Sequence, residues 1–217
     1  MLKIDRLTKR NHEGKIIWKD IHLSCSPGTI TYLRGHSGCG KSLLLKSIVF
    51  LTSFEQGNIY WNNHQIQESD IISFRQKVHY IPQKIHFFEG DVHDQIKKIL
   101  SFEIYKNMNI TPSIIKELME KLELSSTFLS KKSYELSGGE TQLFLLLIAG
   151  LLKPQFLLID EITSNLDPVK KIIVEQFLQK EFKDRGILWV GHDEDQKERV
   201  ATYSYRLENA QLIKENL

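Results

Sequence analysis

The chain is predicted to be α/β: a mainly parallel core sheet flanked by helices, with an N-terminal antiparallel β lobe and a helical insertion. Three observations predict this. Short apolar runs at Ile30–Leu33, Val78–Ile81, Phe156–Ile159 and Ile187–Val190 read as buried strands, and helix-forming stretches lie between them, as in parallel sheets with crossover helices. Ahead of the first run, residues 1–30 alternate apolar and polar positions between turn residues, which reads as antiparallel β-structure. After Gln83 the apolar spacing turns helical, so residues 84–136 read as a mostly helical insertion; with the helix that follows, the helical subdomain covers about 84–150.

Each element has a local reason. Leu2, Ile4 and Leu7 precede a turn at Asn11–Gly14, Ile16 to Leu23 form a second strand, and Pro27-Gly28 turns the chain again. Ile30 to Leu33 lead into a loop holding Gly35, Gly38 and Gly40, and a helix starts behind it and runs to about Phe50. Ile59-Tyr60-Trp61 and Gln65-Ile66 flank Asn62-Asn63, a hairpin signal. Val78–Ile81 is read as a buried strand ending at Pro82-Gln83. Thr111 is placed to cap a helix with Pro112 at its first position, and Ile114, Ile115, Leu118, Met119 and Leu122 recur at helical spacing. A further helix opens at Ser137, and another opens at Asp167-Pro168 and is closed by Gly186. No internal repeat, low-complexity segment or linker interrupts residues 1–217, which are expected to form a single folding unit with lobes.

Composition excludes several classes. At 41% hydrophobic and 26% charged residues, the chain has core enough for a globular protein. A net charge of +2, from 29 basic and 27 acidic residues, offers no electrostatic case for nucleic acid or an acidic membrane surface. Lys97-Lys98, Lys131-Lys132 and Lys170-Lys171 read as solvated helix faces. The start of the chain, Met1 to Arg6, lacks the apolar core of a signal peptide, and the longest apolar run, Leu143–Leu152, has ten residues where a bilayer span needs about twenty. Of the two cysteines, Cys39 sits inside the glycine loop, where a disulfide would distort it, which suits a reducing cytosol.

The chemistry begins at Gly35-His36-Ser37-Gly38-Cys39-Gly40-Lys41-Ser42, a G-x-x-x-x-G-K-S phosphate-binding loop between strand and helix. Its glycines let backbone N–H groups converge on an anion, and the helix beginning near Leu43 aims its positive end the same way. Lys41 would reach the β- and γ-phosphates of a nucleotide, and the Ser42 hydroxyl would ligate Mg²⁺. Asp160, at the end of an apolar strand, would face the metal from across the loop, and Glu161 is placed to polarise the attacking water. Ser137-Gly138-Gly139-Glu140 has the spacing of a capping box, yet a cap needs no central glycines, each costing about 1 kcal/mol in a helix. Those glycines make sense if an anion approaches the exposed N–H groups.

Leu136-Ser137-Gly138-Gly139-Glu140 resembles the signature of ATP-binding cassette (ABC) ATPases, and the resemblance covers nearly the whole chain with six motifs in the family order. Walker A is Gly35–Ser42, the Q-loop Gln83, Walker B Phe156–Asp160, the catalytic glutamate Glu161, the D-loop Ser164–Asp167 and the switch histidine His192. The resemblance implies a P-loop NTPase of ABC type that works as a nucleotide-dependent head-to-tail dimer. Two ATP molecules would lie at the interface, each between Walker A of one subunit and the signature of the other. It implies that Ser137 donates to the γ-phosphate in trans, that Gln83 senses Mg²⁺ and the attacking water, and that His192 contacts the γ-phosphate. The adenine-stacking position of the family falls at His12, with Trp18 further along the strand. Three departures stand out: His12 stands where the family usually has an aromatic residue, Gln142 is followed by Leu143-Phe144-Leu145-Leu146-Leu147 where the family commonly has arginines, and Ile162 replaces a common proline.

The resemblance further implies an ATPase that powers transport by a separate integral-membrane permease, docked at the cytoplasmic face of the inner membrane. Phe87 to Ile96 resembles the family segment near the permease, which makes exposed Phe87 and Phe88 candidates for that interface. Short stretches, Asp160–Ser164 and Leu188–Asp193, are similar to the ATP-binding subunits of bacterial metal (iron) efflux transporters. The alternative is a soluble ABC ATPase acting on nucleic acid or ribosomes. Against it stand the near-neutral charge, the single cassette, and a stretch of only 53 residues without heptads between Gln83 and Ser137.

Overall fold

The computed structural model of the chain describes residues 1–216. β1 (Leu2–Arg10) and β2 (Ile16–Cys25) pair antiparallel, Leu2 opposite Cys25 and Arg10 opposite Ile16. β3 (Ile30–Arg34) and α1 (Lys41–Ile48) enclose the glycine loop. β4 (Gln56–Trp61) adds to β1 and turns into β5 (His64–Gln65). Asn62 and Asn63 both take positive φ, 50° and 65°, as a two-residue hairpin turn with right-handed strand twist requires. The resulting four-stranded sheet, in the order β2-β1-β4-β5, buries Leu2, Ile4, Ile21, Leu23, Ile59 and Trp61 by period-two alternation, and a register shift between Ile4 and Leu7, with Arg6 at φ 53°, brings Leu7 inward as well.

α2 (Ile71–Lys77) leads into β6 (Val78–Ile81), then α3 (Val92–Leu100) and α4 (Pro112–Lys121). Thr111 caps α4 with Pro112 at its first turn, and Asp91 caps α3, accepting from the Asp94 N–H at 2.9 Å. Next come α5 (Gly138–Leu152), β7 (Phe156–Asp160), α6 (Pro168–Glu181), β8 (Gly186–Val190), α7 (Glu194–Val200), β9 (Tyr203–Glu208) and β10 (Gln211–Glu215). The six-stranded sheet runs β10-β9-β3-β8-β7-β6, parallel throughout except for the β9–β10 hairpin.

The chain divides into two compact units. The first comprises Met1–Ile81, Pro154–Glu161 and the residues from Phe182 onward, with both sheets and α1, α2 and α7; its core runs from Leu2 and Trp18 through Leu44, Leu45 and Ile48 to Leu158 and Leu188. The second comprises Pro82–Lys153 and Ile162–Glu181, with α3 to α6. Within it α3 and α4 are separate short helices, and residues 101–111 between them are mainly turns.

Three expectations need adjustment, and one hairpin was not expected. α6 ends at Glu181, and Gly186 opens β8 instead of closing the helix, because any Cβ there would overlap the ring of Phe156 on the paired strand. The hairpin of β9 and β10, turning at Asn209 and Ala210 (φ 49° and 62°), was absent from the sequence reading. β6 is buried only at its ends; His79 and Tyr80 are half-buried. Lys131-Lys132 is not a helix face: it lies between two 3-10 turns, with Lys131 paired to Glu140.

Candidate active site

The glycine loop has a physical requirement at Gly40, which caps α1 at φ 100°. A Cβ at Gly40 would lie 2.7 Å from Ile17 Cγ2 and 3.0 Å from the ring of the fully buried Trp18. Lys41, the first residue of α1 and only 6% exposed, folds back into the loop, its Nζ donating to the carbonyls of Gly35 at 2.8 Å and His36 at 3.2 Å. The Cys39 N–H donates to His36 O at 3.3 Å, closing the turn. His36, Ser37 and Gly38 are exposed at its tip, and the space beside Gly38 is open. Leu43 is half-buried behind Ser42, and the first turn of α1 carries no acidic residue, so its positive end stays available to an anion.

The acidic side comes from β7. Its terminal residue, Asp160, is 3% exposed, and both carboxylate oxygens are engaged: Oδ1 accepts from Ser42 Oγ at 2.9 Å and Oδ2 from the Tyr80 hydroxyl at 2.8 Å. Burial, and after it the Asp160 charge, raise the Tyr80 phenol well above its ordinary pKa, so at neutral pH it is a donor. Glu161 adopts φ 50°, a left-handed backbone costing roughly 1–3 kcal/mol for a non-glycine residue, while its N–H donates to Val190 O at 3.0 Å. Its carboxylate lies 4.0 Å from Lys41 Nζ. Lys41, Ser42, Asp160 and Glu161 are therefore one cluster.

His192 is exposed just beyond β8. Its segment is held from below: the Tyr32 hydroxyl donates to Asp193 O at 3.3 Å and occupies the space a Cβ on Gly191 would need. A cavity of about 350 Å³ is lined by Gly35, His36, His192 and Glu194 among others. Beside it, Arg34 grips Glu215 with two bonds of 2.7 and 2.8 Å and also pairs with Glu194. His12 lies exposed in the β1–β2 turn, and Trp18 is fully buried and offers no face for stacking.

The second unit carries the other predicted residues. Gln83 is half-buried two residues past β6. Ser137 caps α5: its Oγ accepts from the Glu140 N–H at 3.2 Å, and Glu140 Oε2 accepts from the Ser137 N–H at 3.1 Å. Burial opposes it, but the Lys131 ammonium and these Ser137 bonds hold the Glu140 carboxyl below its usual pKa. The capping box therefore exists, and the glycines inside it have a packing reason as well. A Cβ on Gly139 would lie 3.1 Å from Asn165 O and from Leu166 Cδ2, and one on Gly138 3.3 Å from the Asn165 side chain. Gln142, fully buried, ties the same helix to the same loop: Nε2 donates to Ser164 Oγ at 3.1 Å, and Oε1 accepts from the Asn165 N–H at 3.3 Å. Phe87 lies against Phe144 with ring centroids 5.3 Å apart, whereas Phe88 is exposed.

Sequence reasoning missed Tyr80 and Arg34 and left Gln142 without a role. Only strand pairing places the first two, and no local pattern reveals it.

Residues 18–164 match the ABC transporter family. The probable iron export ATP-binding protein FetA of Escherichia coli (strain K12) is 34% identical over 186 residues, 85% of this chain and 81% of that protein. The glycine betaine/carnitine/choline transport ATP-binding protein OpuCA of Bacillus subtilis (strain 168) is 27% identical over 230 residues; the match takes in 98% of this chain but 57% of OpuCA. Among solved structures, a dimeric bacterial ABC transporter cassette, MJ0796, superposes with a TM-score of 0.87 at 23% identity, covering 100% of this chain and 99% of that one, which speaks for the fold. With the fold, the loop and the acidic cluster in hand, the chain belongs to the ABC transporter family and is one of its ATP-binding, ATP-hydrolysing subunits.

Proposed function

We propose that the chain, as a single ATP-binding domain over 1–217 with a helical subdomain at about 84–150, drives a separate membrane permease by ATP-dependent closure of a head-to-tail dimer. The observation that carries the reading is the cluster of Lys41, Ser42, Asp160 and Glu161, with a cationic amine, a hydroxyl and two carboxylates around an open glycine loop. In this reading the N–H groups of Gly35 to Leu43 and Lys41 hold the phosphates, and His12 lies against adenine. The 2.9 Å pair of Ser42 Oγ and Asp160 Oδ1 fits an oxygen-ligated divalent cation, so these residues, with Gln83, would hold Mg²⁺. Bound there, the ion would offset negative charge developing on the transferred phosphoryl group.

Glu161 then orients and deprotonates the attacking water, and its 4.0 Å approach to Lys41 keeps it aimed at the loop. Lys41 exchanges the Gly35 and His36 carbonyls for phosphate oxygens. His192 contacts the γ-phosphate, and Ser137, Gly138, Gly139 and Glu140 of the second copy complete the site in trans. No described helix is long and apolar enough to cross a membrane, so the membrane path would belong to the permease, with this subunit peripheral at the cytoplasmic face of the inner membrane. Similarity to the iron export protein supports a metal ion, iron foremost, as the exported cargo. Exposed Phe88 at 54% supports an apolar contact with the permease, whereas Phe87, against Phe144, supports the helix packing behind it.

The test is co-purification of tagged protein from gently solubilised membranes. A stoichiometric polytopic membrane protein is expected. Recovery only with ribosomes or nucleic acid would overturn the transport reading in favour of the soluble alternative. A deletion strain with unchanged metal tolerance and content would remove metal export alone.

A further inference from the structure

We infer that Tyr80 is a positioning residue for the metal-side carboxylate, acting through Asp160 Oδ2. The inference rests on the reading of Ser42 and Asp160 as the Mg²⁺ side of the site. A carboxylate on one hydrogen bond can swing about its Cβ–Cγ axis; anchored at both oxygens, its plane is set. Ser42 anchors Oδ1 at 2.9 Å and Tyr80 anchors Oδ2 at 2.8 Å.

Strand register puts the phenol there. β6 and β7 are parallel with Tyr80 opposite Leu158, and Asp160, two residues further on, projects from the same face. Ser42, in the first turn of α1, arrives over that face. The Tyr80 ring packs against the buried core of the first unit, so its hydroxyl reaches the carboxylate on a supported stem. With Asp160 only 3% exposed, little solvent is at hand to replace the bond.

Removing a group that orients a metal ligand from behind typically weakens metal binding 10–100-fold. Tyr80→Phe keeps the ring and deletes only the donor. The experiment is a Mg²⁺ titration of fluorescent ATP-analogue binding to wild type, Tyr80→Phe and Asp160→Asn, with a parallel titration in EDTA. In Tyr80→Phe the Mg²⁺ concentration for half-maximal effect should rise about tenfold, while affinity in EDTA matches wild type. Tyr80→Leu, which also lacks the hydroxyl, should give the same shift if the Phe variant folds poorly. Wild-type binding that ignores Mg²⁺, or an Asp160→Asn curve identical to wild type, would overturn the metal-side reading itself. A wild type that responds and an Asp160→Asn that does not, with Tyr80→Phe unshifted, would overturn the role of Tyr80 alone. Weakened binding of Tyr80→Phe in EDTA to the same degree would assign the tyrosine to structure rather than to the carboxylate.

Discussion

Gly40→Ala is the substitution for which the structure gives the most complete expectation. The residue holds φ 100°, and leaving the right-handed region costs an L-residue roughly 1–2 kcal/mol. The new methyl would lie 2.7 Å from Ile17 Cγ2 and 3.0–3.2 Å from the Trp18 ring, and overpacking of this kind costs typically about 1–3 kcal/mol. Replacing glycine also restricts the unfolded chain, which returns about 0.4–1 kcal/mol. The expected net loss is about 1–5 kcal/mol, centred near 3, read as a lower urea midpoint at unchanged slope. Because Gly40 sets the start of α1 and with it Lys41, ATP-analogue binding should fall as well. Ile17→Ala in the same chain should recover only the aliphatic part of the clash, leaving the backbone strain and the Trp18 contact. A Gly40→Ala protein with the wild-type midpoint and nucleotide affinity would refute the account of the loop.

Burial lowers the His79 pKa from 6.5 to about 4, against a partly compensating bond to the Gln76 backbone. The unfolded chain therefore binds more protons across this window, so the stability tied to the neutral imidazole is complete above pH 6.5 and drains away toward pH 4; at about 1.4 kcal/mol per unit it amounts to about 3 kcal/mol. His79→Gln should flatten that part of the pH–stability curve, measured by urea unfolding at stepped pH. Gln142→Ala deletes both bonds from α5 to residues 164 and 165 and should cost about 2 kcal/mol, seen as a fall of about 4–8 °C in Tm.

What could be read from the sequence was local. The Asn62-Asn63 turn, the Thr111 cap with Pro112, the glycine loop and the carboxylate-terminated strand are set by neighbours a few residues apart, and the structure has each of them. Gly186 was misread because its reason is the Phe156 ring on another strand, not the end of a helix. Lys131 escaped because its partner Glu140 approaches only after the chain between them has turned. The glycines of Ser137–Glu140 were read for an anion alone; their tight contact with Asn165 and Leu166 needs the fold. Tyr80 is the clearest case, since nothing in Val78–Ile81 announces that its hydroxyl meets Asp160 on a strand paired across the sheet.

The central claim is that two copies close on ATP and reopen only after Glu161 has directed hydrolysis. Glu161→Gln should lower phosphate release at least 100-fold, the scale of general-base catalysis, without unfolding the left-handed turn at φ 50°. The decisive measurement is the light-scattering mass of this variant on size exclusion with ATP and Mg²⁺. The account predicts a species of twice the 25.3 kDa chain mass that reverts to one chain when nucleotide is removed. A variant that binds ATP yet stays at the mass of one chain would contradict it.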